Sequence, residues 1–158
     1  MSDFRHVVEI RAAPAHVWSV LLDVEHWPDW TTSVTKVKRM DIGPLTLGSR
    51  TRMWQPRLMP AVWQVTSLDE QRRVFGWTSR TLGMKCVAWH HVESVRNLSR
   101  VTLSIDYSGL LSVIVARIYR DLIWDYISRE GNGLKKWCEF PAAKPGAAAR
   151  TPTTAQRS

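Results

Sequence analysis

The chain is poor in cysteine, in uninterrupted apolar runs and in clustered charge, and each shortage removes a class of function. Two cysteines, Cys86 and Cys138, stand among 158 residues, too few for the disulfide framework of a small secreted domain. The opening MSDFRHVVEI has charges where a signal peptide needs apolar residues. The expectation is therefore a cytoplasmic protein with both thiols reduced. The most apolar stretch, GLLSVIVARIYRDLIWDYI, is interrupted by Arg117, Arg120 and Asp121, which argues against an integral membrane segment. No G-x-G-x-x-G spacing occurs, so no nucleotide cofactor is implied. The formal charge is +8, yet the longest basic runs are the pairs Arg72-Arg73 and Lys135-Lys136. A nucleic-acid surface needs a clustered stripe, so no nucleic-acid partner is expected.

Metal and nucleophilic chemistry lack support as well. His90 and His91 are adjacent on a strand and point to opposite faces. Cys86 and His90 share a face about 13 Å apart, too far for one ion. No metal and no cofactor are expected. Ser67 with His90 would need a carboxylate to orient the imidazole, and the strands offer no inward Asp or Glu.

What the chain has in excess is tryptophan, nine in all. A surplus of this kind means a dense core, a lined pocket or an interface. Three fall in AAPAHVWSVLLDVEHWPDW, residues 12–30. FRHVVEIRA reads as a strand that ends before Pro14, and proline is favoured at the first helical position. Val17, Leu21 and Val24 then fall on one face, with Val20 beside them and Trp18 and Leu22 widening the stripe. The proline in EHWPDW ends this helix.

Strand signals follow: SVTKVKRMDI, SRTRMWQ, AVWQVTSL, RVFGWTSRT, MKCVAWHHVESV and RVTLSIDYSG. The short connections between them imply antiparallel hairpins. From Leu110 the period changes to three and four, through Leu111, Ile114, Val115, Ile118, Leu122 and Tyr126, resuming at Leu134, Trp137 and Cys138. The pattern predicts one helix of about 28 residues, roughly 42 Å long. Gly131 and Gly133 inside it imply close backbone packing or a kink, since each disfavours helix by about 1 kcal/mol relative to alanine. Residues 141–158 hold no large apolar side chain and are expected to be a disordered tail. Residues 1–140 are expected to form the domain.

The order strand, helix, about six antiparallel strands, long helix leaves a sheet whose apolar face needs cover, and the long helix is the natural cover. A gap between the two becomes a cavity walled by inward side chains.

VWSVLLDVEHWPDW, LGSRTRMWQP…AVWQVTSLDEQRRVFGW, and DYSG leading to GLKKWCE together resemble the START-like, Bet v 1-like superfamily, and within it the polyketide cyclase/dehydrase branch. The resemblance covers residues 4–139. It implies an α+β helix-grip fold: a curved antiparallel sheet of about seven strands around a long C-terminal helix, with short helices after the first strand. The same fold carries lipid carriers, aromatase/cyclases and proteins without an assigned ligand.

With the implied cavity as the inside, strand parity places Trp63, Val65 and Ser67 inward, then Ala88, His90 and Val92, then Leu103, Ile105 and Tyr107. Phe75 and Trp77 are placed inside as the larger pair of their strand. RTRMW puts Arg52 and Trp54 inward, but the opposite face of Thr51, Met53 and Gln55 is nearly as plausible. A slip of one residue reverses any of these. Trp27 and Trp30 sit where the family closes one end of the cavity, as lining or as packing, and Ile118 is taken from the helix stripe. Trp18 is expected to pack the short helix on the sheet. The candidate acid–base residues are His90, Arg52 and Tyr107, which could polarise a carbonyl and move a proton.

Three functions remain open. The chain binds an aromatic, polyketide-like or acyl small molecule as a monomer or homodimer; or it cyclises or dehydrates such a molecule; or its cavity is filled by its own tryptophans and it acts through its surface.

Overall fold

The computed structural model describes residues 4–81 and 83–141. The expectation of a disordered tail lies outside these, Pro141 excepted. β1 (Phe4–Ile10) leads into α1 (Pro14–Leu22), a 3₁₀ turn (Val24–His26) and the single-turn α2 (Trp27–Trp30). Then come β2 (Lys36–Arg39), β3 (Arg50–Trp54), β4 (Ala61–Asp69), β5 (Val74–Thr81), β6 (Met84–Val95) and β7 (Leu98–Gly109), followed by α3 (Ser112–Ile118) and α4 (Arg120–Glu139). The seven strands form one antiparallel sheet in the order β1-β7-β6-β5-β4-β3-β2. Only β1 is brought beside a strand distant in sequence. The helix-grip fold implied by the family resemblance is the fold observed.

Proline starts α1 as the sequence suggested. The second proline does more than stop a helix: Pro28 lies in the first turn of α2, where its missing N–H is no loss. Trp27 joins the two helices, because its indole N–H donates to the Leu21 carbonyl at 3.0 Å. That carbonyl belongs to the last turn of α1 and has no partner within the helix. Trp18 is buried and tilted against Phe75, centroids 6.0 Å apart, so it fixes α1 to the sheet.

The single long helix is corrected. It breaks at Tyr119 (φ −98°, ψ 9°) into α3 and α4. Hydrogen bonds continue across the break, from Tyr119 N–H to the Val115 carbonyl and from Ile123 N–H to the Tyr119 carbonyl, each 2.9 Å. Of these two helices α4 is the one that buries side chains against the sheet and its neighbours: Leu122, Ile123, Tyr126, Ile127, Leu134 and Cys138. Gly131 and Gly133 are explained by close packing. A Cβ on Gly131 would meet the His6 ring of β1, and one on Gly133 would run into the Trp30 carbonyl of α2.

Candidate ligand-binding site

Between α4 and the concave sheet face lies a cavity of about 70 Å³. Its aromatic walls are Trp27 of α2, Trp63 of β4, Trp77 of β5, Tyr107 of β7 and Tyr126 of α4. Trp77 touches both other tryptophans, with ring centroids 5.1 Å from Trp27 and 5.5 Å from Trp63. Half-buried Gln55 and Leu58, from the loop between β3 and β4, lie on its outer side.

His90 is the polar centre of this wall. It is 3% exposed. Its ring stacks on Phe75, centroids 4.2 Å apart and planes within 5°, while Trp27 and Trp77 stand at 5.4 Å and 5.8 Å. Its Nε2 lies 2.9 Å from Glu130 Oε1. A carboxylate accepts the Nε2–H, which leaves Nδ1 as the basic nitrogen of the neutral ring. Nδ1 is buried without a hydrogen-bond partner.

A second histidine stands in the same row. His6 of β1 pairs with Leu103, and Leu103 pairs with His90, so the three side chains cross three strands side by side. Burial pushes the pKa of His6 below the usual histidine range, against a smaller upward pull from the Glu130 charge. Buried Tyr126 is shifted upward, chiefly by its burial.

Three of the buried polar atoms without a partner belong to this wall: Trp63 Nε1, His90 Nδ1 and the Tyr126 hydroxyl. Such groups are uncommon in folded proteins and each is costly to leave bare. The wall is thus mostly apolar, and three of its residues each carry a buried polar atom that lacks a partner.

Of the residues singled out from the sequence, the structure brings Trp27, Trp63, Trp77, His90, Leu103 and Tyr107 to the cavity. Val65, Phe75 and Val92 face the same side but are core residues beside it. Trp30 is buried on the far side of Trp27, against α4 near Gly133 and Trp137. Four placements are corrected. Arg52 is exposed, and Trp54 lies on the outer face with Lys36 Nζ 5.0 Å from its ring, a cation–π contact that stabilises the aromatic there. Thr51 and Met53 take the inward positions of β3 instead. Ile118 is 70% exposed, because α3 has left the sheet. Ser67 also changes sides: the register of β4 shifts between Val65 and Ser67, so Ser67 pairs with Gly76 and Leu68 with inward-facing Phe75.

The largest omission is Glu130. The strands lack an inward carboxylate, but α4 supplies one. Its signal was available: Ile123, Tyr126, Ile127, Glu130 and Leu134 form one helical stripe at spacings of three and four, and a carboxylate on an apolar stripe needs a buried partner. Met53, Gln55, Leu58, Cys86, Trp89, Ser104, Ile123, Tyr126 and Ile127 also line the cavity, beyond the residues expected from sequence.

Residues 1–124 match the profile of a family described as polyketide cyclase / dehydrase and lipid transport. Solved structures share the fold. An aromatase/cyclase from Streptomyces is 17% identical, with 90% of this chain and 96% of that one covered at a TM-score of 0.73. A hypothetical protein from Helicobacter pylori is 15% identical, with 87% and 89% covered at 0.74. A major latex-like protein from Panax ginseng is 14% identical, with 85% and 97% covered at 0.70. No curated protein matches the chain.

Proposed function

The chain belongs to the polyketide cyclase/dehydrase and lipid transport family, and on that premise we propose that it binds a small, oxygen-bearing aromatic molecule in the cavity beneath α4. The observation that carries this reading is the conjunction of aromatic walls with three unpartnered polar atoms, on Trp63, His90 and Tyr126. A carbonyl or phenolic oxygen would accept from the indole N–H, which can only donate. Cavity size limits the occupant. About 70 Å³ is roughly half the ~150 Å³ that takes up benzene in an engineered core. A single ring therefore suits the cavity better than a long acyl chain, and the wall must yield to admit it.

The experiment is a titration followed by tryptophan emission, comparing toluene, phenol and acetophenone. Trp27, Trp63 and Trp77 should respond, with micromolar affinity for the oxygenated rings, about −8 kcal/mol. Saturating amounts of all three compounds without change in emission or in melting temperature would favour a core filled by its own tryptophans.

A second reading, acid–base catalysis on a ketone, is favoured by the Glu130–His90 pair. Glu130 orients the His90 ring through Nε2, the arrangement by which a carboxylate supports an imidazole base. Exposed Arg52 has no part in it. Under this reading His90→Gln lowers turnover of a poly-ketone mimic by about 10²–10⁴-fold while sparing its binding. Equal turnover by wild type and variant would leave binding alone as the function.

A further inference from the structure

α3 is the anomaly of the surface. It buries none of its seven residues. Leu110, Leu111, Val113, Ile114 and Ile118 are exposed by 97%, 44%, 78%, 56% and 70%. Contiguous apolar surface of this kind marks an interaction site. The charge around it has one dominant sign. No acid occurs between Asp106 and Asp121, whereas Arg117 and Arg120 lie on the segment and are exposed. Arg80 and Lys85 flank Gly109, where β7 gives way to the segment, and share a surface depression with it. Asp121 is the one exposed acid at its end.

We propose that α3 docks this end of the molecule onto an anionic lipid surface. The chemistry fits from both sides. An interfacial helix needs apolar side chains for the acyl boundary and cations for the headgroups. Arginines at the edge of the patch can lay their stems along it and keep the guanidinium among phosphates. A second copy of the chain is the less suited occupant, because a self-contact brings Arg80, Lys85, Arg117 and Arg120 of both copies together with only Asp121 nearby to offset them. No helix among the described residues is long and apolar enough to cross a membrane, so α3 lies in the surface. The strands that end there also carry Cys86 and Tyr107 of the cavity wall, which puts the docking face at one end of the ligand site.

The test is sedimentation of the full chain with phosphatidylcholine vesicles, with and without phosphatidylserine. The readout is repeated for the double variant Ile114→Asp/Ile118→Asp, whose sites are exposed and whose folding is checked by its melting temperature. Binding should require phosphatidylserine, weaken in high salt, and fall about ten-fold or more in the double variant. A wild-type chain that stays in solution with anionic vesicles overturns the proposal. So does a double variant that sediments as fully as wild type. A concentration-dependent dimer that the double variant abolishes, without vesicle binding by wild type, would assign the patch to a second copy instead.

Discussion

α3 and α4 are consecutive helices with the same kind of apolar stripe, and they meet opposite fates. α4 buries seven residues against the sheet and the short helices; α3 buries none. The period of three and four runs across the break between them, so amphipathicity does not separate them. What separates them is what stands opposite: α4 packs on β1, β7, α1 and α2, whereas α3 meets little beyond β7 and α4 among the described residues. Two glycines also let α4 approach its neighbours at backbone distance. Burial is a property of the surface opposite a helix as much as of the helix itself, and here the difference divides a structural element from a candidate contact surface.

The same substitution made in both helices gives the largest contrast. Ile127 is 2% exposed and Ile118 is 70% exposed. Ile127→Ala should destabilise the fold by about 3 kcal/mol through lost transfer energy and the cavity left behind. Ile118→Ala should stay within about 0.5 kcal/mol. Chemical denaturation of both variants checks this, and similar losses would mean that α3 is packed in solution. Gly133→Ala comes next. Its Cβ would meet the Trp30 carbonyl, and backbone cannot swing aside, so about 2 kcal/mol is expected despite alanine's better helix propensity. A Gly133→Ala protein as stable as wild type would show that α2 is free to move off α4.

The far end of α4 sharpens the contrast through pH. Glu139 accepts from Lys135 Nζ at 2.7 Å and from the Arg11 N–H at 2.8 Å, tying the helix to the chain just beyond β1. These bonds hold its carboxyl below the usual range, the Lys135 contact most strongly. A depressed carboxyl contributes stability that is complete above its unfolded pKa and is lost as pH falls through the folded value. Glu139→Gln should therefore lower the melting temperature by several degrees at pH 7, and the gap should close in acid. A gap that widens in acid would contradict the assignment. The smallest effect concerns Cys138 on the same helix. Burial, with the Glu139 charge nearby, pushes its thiol up to about 11, so alkylation at pH 8 should proceed only as fast as the protein opens.

Much of the fold was legible because its signals are local. Pro14 at the start of α1 and the alternation of Val101, Leu103, Ile105 and Tyr107 needed no tertiary information. The cavity was half legible. Strand parity placed Trp63, His90, Leu103 and Tyr107, since one face of each of their strands is plainly apolar, whereas Trp77 was placed by its size. It failed at β3, where Trp54 competes with Met53 and the outer face has its own stabilising contact in Lys36. It failed past Val65, because the register shift in β4 leaves no mark in the residue pattern. Glu130 was readable from the stripe of α4, where it is the one carboxylate among apolar side chains. The break at Tyr119 was not readable, because nothing in the residues tells where the sheet ends.

The cavity account turns on whether Trp63 and Tyr126 offer their polar atoms to an oxygen. Calorimetric titration of wild type and of Trp63→Phe/Tyr126→Phe with toluene and acetophenone tests this most directly. The account predicts that wild type prefers acetophenone by about ten-fold or more and that the double variant binds both rings alike, since each unmatched buried polar group is worth about 1–3 kcal/mol. Equal binding of both rings by wild type, or an acetophenone preference that survives in the double variant, would contradict it.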